Sequence, residues 1–318
     1  MRISNKTATL GVLLVLIVLS PLFFPSAFYY RVGALIFING LAVTGMVILI
    51  GYAGQISLGH AGFAGIGAYA CAVLPVHWGI PPVVAALIGA LVSAVLAWLV
   101  GRPILRLKGY YLGVATLGFG ILVYMVLTNE AWLTGGPDGT QVPDSGLRDL
   151  TRALGLNLRN AELWYWATGI ALMIGAWLAL NLRDSPTGRA LRALHGSEVA
   201  ARTVGVDVAR YKLRAFVISA VYASVAGSLL ALQNSFITPD VAGYMHSIEM
   251  VTMAVLGGAN SVLGAILGAG ILTLLPQVLT VFAEYEHLLL GLIMMLVMIF
   301  MRDGLLPSVM RLIRGKDE

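Results

Sequence analysis

Charge is what this sequence has least of. Only 11% of its 318 residues are Asp, Glu, Lys or Arg, while 59% are apolar. A water-soluble domain carries roughly a quarter charged residues, so that class is excluded and a multi-spanning membrane protein is indicated. Cysteine is almost absent. The single Cys71 rules out an intrachain disulfide framework, and its apolar surroundings suit a small buried hydrophobe. No G-x-x-x-x-G-K-[S/T] phosphate loop occurs; the only Gly-Lys pair is Gly315-Lys316. The histidines (His60, His77, His195, His246, His287) are scattered without metal-ligand spacing. No Ser/His/Asp set and no paired carboxylates can be picked out, so an intramembrane enzyme finds no support. A series of buried acids is also missing, which argues against an ion-coupled pump that works alone. The net charge of +5 reports orientation through its placement in loops, not nucleic-acid binding.

What is present is a succession of apolar runs. A helix needs roughly 20 apolar residues to cross about 30 Å of hydrocarbon. By that measure the expected spans are 9–30, 32–50, 81–101, 110–128, 164–182, 213–233, 261–281 and 286–301, with shorter pieces at 60–76 and 247–257. The fold class is therefore an all-α polytopic membrane protein of about 8–10 transmembrane helices, with short or interrupted helices at its glycine-rich stretches. Arg2 and Lys6 precede an apolar run from Ala8 to Phe24, as in a signal peptide. That run is longer than an ordinary signal core and many spans follow, so a retained first helix is expected.

Basic residues cluster in three places. "RPILRLK" (Arg102, Arg106, Lys108) has no acid. Arg183 to Arg214 holds seven basic residues against three acids, and the tail has Arg302, Arg311, Arg314 and Lys316. These are expected on the cytoplasmic side, with the segment 183–213 forming a cytoplasmic loop. The segment 129–163 carries five acids against three basic residues and is expected on the opposite, periplasmic side. Ten crossings, short ones included, put both termini inside and all basic segments on one face. Neither loop is large enough for its own core, so residues 1–318 read as a single transmembrane domain.

One stretch breaks the apolar rhythm. "GYAGQISLGHAGFAGIGAYA" carries Gly51, Gly54, Gly59, Gly62, Gly65 and Gly67 together with Gln55, Ser57 and His60. Glycine at this density either brings helix backbones together or lets a helix unwind where its freed N–H and C=O groups face protein or a water-filled cavity. The polar side chains would be costly against lipid but can line a passage. A second stretch, "MAVLGGANSVLGAILGAG", repeats the order Met, apolar run, Gly and Ser in the other half of the chain, as in transporters with paired interrupted helices. Gly51, Gly54, Gln55, Ser57, Gly59, His60, Gly62, Gly257, Gly258 and Gly264 are thus candidates for a translocation path or its helix breaks. Glu249 joins them as the one acid near a short apolar segment, with a structural pairing as the alternative.

Without a nucleotide motif, ATP can drive this chain only through another subunit. Within the basic loop, "TGRALRALHGSEVAARTVG" reads as a short amphipathic helix ending at Gly205, suited to a groove on a partner or to a lipid surface. This loop resembles the cytoplasmic coupling loop of bacterial ABC importer permeases, with Glu198-Val199-Ala200-Ala201 and Gly205 in the positions of the family's "EAA…G" pattern. Three other stretches resemble branched-chain amino acid permeases of the LivM type. They are the opening glycine stretch, "YYLGVATLGFGILVYMVLTNEAWLTGGPDG" and "SIEMVTMAVLGGANSVLGAILGAG"; "TGGPDG" favours LivM over the sister LivH type.

The resemblance implies one half of a heterodimeric pore in the bacterial inner membrane, paired with a LivH-type subunit. It also implies two cytoplasmic ATPases holding the ATP and Mg, and a periplasmic substrate-binding protein. This chain itself would bind no cofactor and catalyse no reaction. Glu198, Ala200, Ala201 and Gly205 would face an ATPase, and Thr134 to Gly139 would help dock the binding protein. Arg202 and Gln141 depart from the family's usual residues. The alternatives are a self-sufficient secondary transporter or facilitator, and an ABC permease for urea or short amides.

Overall fold

The computed structural model of the chain describes residues 2–107, 109–153, 155, 158–278, 291, 292, 295, 304–306 and 308. Most of the apolar runs become long helices. They are α1 (Arg2–Leu19), α2 (Ala27–Met46), α3 (His60–Trp78), α4 (Pro82–Ile104) and α5 (Tyr110–Asn129). Of these, α3 and α4 each carry a proline near their C-terminal end, Pro75 and Pro103. Short α6 (Ala131–Thr134) and α7 (Leu147–Ala153) follow, flanking a two-residue strand β1 (Thr140–Gln141). Then come α8 (Asn160–Asp184), α9 (Pro186–Gly196), α10 (Glu198–Thr203), α11 (Val208–Asn234), strand β2 (Phe236–Ile237), α12 (Tyr244–Gly257) and α13 (Val262–Val278). Among the described residues, seven segments are long and apolar enough to cross a membrane, including α2 with its continuation to Tyr52; Val262–Gln277 is a shorter apolar helix. The protein is an all-α polytopic membrane protein. The expected span 286–301 and the basic tail lie outside the described residues apart from a few isolated positions.

Two boundaries differ from the sequence reading, each for a local reason. The first two spans part at 24–26, not near residue 31. Pro21 enters a 3-10 turn over Ser20–Phe23, and Phe24 and Ser26 take extended angles on either side of Pro25. The basic loop is two helices and not one. Ser197 is extended, and its Oγ accepts from the Ala200 N–H at 3.2 Å, capping a new helix. The stretch expected at 247–257 is α12, whose 14 residues reach only about 21 Å, short of a full crossing.

Hydrogen bonds between helix ends fix directions. Lys6 Nζ bonds Asn181 Oδ1 at one end of α8. At the other end Tyr165 OH donates to the Ile17 carbonyl at 2.8 Å and lies 2.7 Å from Ser20 Oγ, so α1 runs antiparallel to α8. The Gln233 amide reaches the Arg31 carbonyl at 3.2 Å, which brings the end of α11 to the start of α2. Arg102, Arg106, Arg202, Arg210 and Lys212 share one groove, so the first two basic segments gather at one end of the bundle. The opposite end carries the antiparallel β1–β2 ribbon, pairing Thr140 with Ile237.

The centre of the bundle is α2, α3 and α11; α1, α4 and α5 lie outside with long apolar faces exposed. Lipid tails are as apolar as leucine, so tight backbone packing must hold such helices together. The α3–α11 contact shows how. A Cβ on Gly67 would stand 2.7 Å from the Ser224 carbonyl carbon, and one on Gly227 2.6 Å from that of Ala64. Ser228 Oγ adds a hydrogen bond of 3.0 Å to the Gly67 carbonyl across the same seam.

Candidate functional site

The opening glycine stretch is where α2 stops being an α-helix. Val47–Tyr52 widens into a π-turn, and Ala53 to Gly59 leaves the helix altogether before α3 begins at His60. The Gln55 N–H reaches back to the Leu49 carbonyl at 3.0 Å, six residues away, while the Gly54 N–H keeps Ile50 at 3.1 Å. His60 lies 5.6 Å from the Phe216 ring, the ninth residue of α11. His60, where the break ends, therefore lies about 12 Å along α11 from its first residue.

Unwound backbone at that depth must find partners in protein. It does. The Leu58 N–H donates to Thr116 Oγ1 and the Ala61 N–H to Ser247 Oγ, both at 3.0 Å. His60 Nδ1 and Ser57 Oγ are 2.8 Å apart. The segment alternates like a strand: Gln55, Ser57 and Gly59 turn into the core, while Gly54 and Ile56 face outward. Gln55, Ser57 and His60 thus lie within this chain's own core, not on an open surface. The Gln55 amide and His60 Nε2 have no hydrogen-bond partner among the described residues. Gly59 packs on α5, and Gly62 next to it meets Gly120 Cα at a milder 3.3 Å from its would-be Cβ.

The second stretch forms a hairpin. α12 ends at Gly257, Gly258 takes φ 110°, and α13 starts at Val262. A Cβ on Gly257 would sit inside the Gly264 carbonyl, and one on Gly264 inside that of Gly257, so the two helices touch backbone to backbone. The two breaks also meet each other. A Cβ on Gly51 would lie 2.8 Å from the Ala259 carbonyl carbon, with its oxygen nearer still. Glu249 is apart from this junction; it pairs with His246 Nδ1 at 3.2 Å, one turn away on α12, and is partly exposed.

A third element completes the arrangement. His195, at the end of α9, places Nδ1 2.7 Å from the Gly51 carbonyl, and its ring would lie 3.4 Å from a Cβ on Gly54, whose φ is +66°. The surface helices at the basic end are in this way joined to the first break, and through Gly51 to the second. Glu198 pairs with Lys212 on α11, whose side chain is only 9% exposed. Ala201 is buried on the inner face of α10, while Val199 and Val204 are each 75% exposed and Ala200 faces out beside them. Gly205 ends α10 at φ +82° with open space around it. Glu198 and Ala201 thus fasten the elbow to the bundle, whereas Ala200, Val199, Val204 and Gly205 form its outer surface.

At the other end, Thr134 Oγ1 donates to the Leu127 carbonyl at 2.7 Å, and Gly135, Gly136 and Gly139 all take positive φ. Gly139 lies against Ile237, so this loop is tied to the ribbon that leads into α12. Sequence reasoning assigned no role to His195, Thr116, Ser247 or Lys212. Their partners lie 14 residues away for Lys212 and 58 to 186 away for the other three, and nothing local announces them.

A helical bundle in which one broken span meets a hairpin of short helices, with an amphipathic elbow bonded to the break, fits a transport permease. Residues 29–298 match the family described as branched-chain amino acid transport system / permease component, and the chain belongs to that family. It is 34% identical over 281 residues to the high-affinity branched-chain amino acid transport system permease protein LivM of Salmonella typhimurium, and equally to LivM of Escherichia coli K12. Each alignment covers 83% of this chain and 66% of the relative, so the chain spans about two-thirds of the length of these relatives. The corresponding LivH protein of Escherichia coli K12 is 26% identical over 284 residues, covering 84% of this chain and 90% of LivH. No solved structure matches.

Proposed function

We propose that this chain is the membrane-spanning permease subunit of an ATP-driven importer of branched-chain amino acids, and that it works as a passive gate. Two ATPases, holding ATP and Mg, act on its basic end. A LivH-type permease supplies the other half of the pore, and a periplasmic binding protein delivers the solute. The observation that carries this reading is the bond from His195 to the Gly51 carbonyl. A force on α9 and α10 needs a route to the gate, and this contact leads from the elbow into the interrupted helix, with the second break against it. The exposed Val199, Ala200, Val204 and Gly205 surface is the ATPase contact, and Glu198 holds it in place through Lys212.

The clustering of arginines supports a cytoplasmic basic end, and both termini are assigned to that side on the same ground. The loop from Thr134 to Gly139 then faces the periplasm and contributes to docking the binding protein. Residues 1–318 act as one transmembrane domain of a bacterial inner-membrane assembly.

Affinity purification of the tagged chain from its native membrane in mild detergent tests the reading. Two ATPase subunits and a second permease are expected to copurify, and Val199→Asp with Val204→Asp to release the ATPases alone. Recovery of the chain by itself, with uptake intact in cells lacking those subunits, would contradict it in favour of a facilitator.

A further inference from the structure

A groove of about 740 Å³ opens at the basic end between the last turns of α4 and the corner where α10 meets α11. That volume is within the range of specific small-ligand sites, roughly 300–1,000 Å³. Its wall carries five cationic side chains and the two carboxylates of Glu198 and Asp207. Both carboxylates are already engaged. Glu198 pairs with Lys212, and Asp207 pairs with Arg210 at 3.5 Å. Arg102, Arg106 and Arg202 are left with no carboxylate partner among the described residues. Three arginines without a carboxylate partner lining one cavity suit a phosphate, whose oxygens accept several N–H donors at once.

The groove is not closed off from the lipid-facing side of the bundle. Trp98 lines it and lies beneath the Arg102 guanidinium, 3.6 Å from the ring centroid. From Trp98 an apolar stripe rises along α4 through Val95, Leu91 and Leu87, all exposed, the last two 64% and 68%. These residues recur at helical spacing and cover about 16 Å along the axis. A soluble anion has no use for such a track. A phospholipid fits both halves, with its headgroup among the arginines and an acyl chain along the stripe.

We propose that this groove is a binding site for an anionic phospholipid of the leaflet at the basic end, its phosphate held by Arg102, Arg106 and Arg202. The site would tie α4 and α11 together beside the α10 elbow through a lipid. The inference depends only on the chain spanning a bilayer, not on what it transports.

The test uses the full chain in detergent–lipid micelles with spin-labelled phosphatidylglycerol or phosphatidylcholine. The fraction of immobilised phosphatidylglycerol should exceed that of phosphatidylcholine at least threefold. Arg102→Gln with Arg106→Gln should remove the excess, while Arg189→Gln, on α9 outside the groove, should keep it. A second measurement avoids the arginines: brominated phosphatidylglycerol should quench more of the Trp98 fluorescence, the part lost in Trp98→Phe, than brominated phosphatidylcholine does. Equal immobilisation of both lipids, or an excess unchanged in the double variant, would overturn the proposal. Displacement of the lipid by glycerol phosphate at millimolar concentration would overturn it too, pointing to a free-anion site. So would loss of copurifying protein subunits with the lipid preference intact, which would make the groove a protein-docking surface.

Discussion

Alanine at Gly59 is the smallest change that tests how the first break is seated. The new Cβ would lie 2.8 Å from the Thr116 carbonyl carbon and 3.4 Å from the Gly120 nitrogen, with the Thr116 oxygen nearer still. These are backbone atoms of α5, so no side chain can swing aside; α5 itself must move outward by an ångström or more. Gly59 has φ −114°, which alanine adopts freely, so the cost is steric and not conformational. Overpacking of this kind costs about 1–3 kcal/mol. The shift also pulls Thr116 Oγ1 from the Leu58 N–H, adding about 1 kcal/mol. The sum, about 2–4 kcal/mol, falls on the seam between α3 and α5. Gly62 offers a graded comparison, with its nearest neighbour at 3.3 Å, and Gly118 on α5 has nothing within 4 Å. Uptake of labelled leucine into cells, normalised to the amount of protein in the membrane, should fall in the order Gly118→Ala, Gly62→Ala, Gly59→Ala. The first should be near wild type and the last at least tenfold down. Equal uptake in all three would refute the seating of Gly59 against Thr116.

The other predictions concern the elbow. His195→Ala removes the bond to the Gly51 carbonyl, so ATP hydrolysis by the assembled transporter should persist while uptake per ATP drops at least fivefold; an unchanged ratio would remove His195 from the route. Glu198→Gln and Lys212→Met should each weaken coupling, because either leaves the other charge without its partner. The double variant should do better than the sum of the singles, with an interaction of about 1–2 kcal/mol in a double-mutant cycle; additive effects would mean the pair is not formed. Gly205→Leu meets no clash but is forced to φ +82°, costing about 1–2 kcal/mol at the end of α10. It should reduce ATPase copurification without lowering the amount of chain in the membrane.

The long spans were legible because lipid solvation demands a simple pattern, about 20 apolar residues in a row, and few other constraints blur it. The break at Gly51 to Gly59 was legible for the complementary reason: glycines with Gln and Ser do not fit a lipid-facing helix. Which way those side chains turn was not. Gln55 and Ser57 face the core because the segment is extended and alternates, and no periodicity within seven residues reveals that. Pro21 and Pro25 marked the true boundary between the first two helices, but the surrounding Leu and Phe run concealed it. Ser197 likewise split one amphipathic pattern into two helices through a single hydroxyl cap. The tertiary links had no local signature: His195 to Gly51, Leu58 to Thr116, Ala61 to Ser247, and the pairing of Thr140 with Ile237 all join residues far apart in the chain. The contact between the two breaks was not legible either: the shared order of Met, Gly and Ser marked two similar stretches, not that they touch.

The claim on which the rest stands is that the chain moves solute only when partner subunits act on its basic end. Accumulation of labelled leucine in proteoliposomes with binding protein enclosed on the delivery side measures this directly. Vesicles holding both permeases and both ATPases should concentrate leucine above its outside level when ATP is supplied, and vesicles holding this chain alone should not. Uphill accumulation by this chain alone, with no ATPase present, would contradict it.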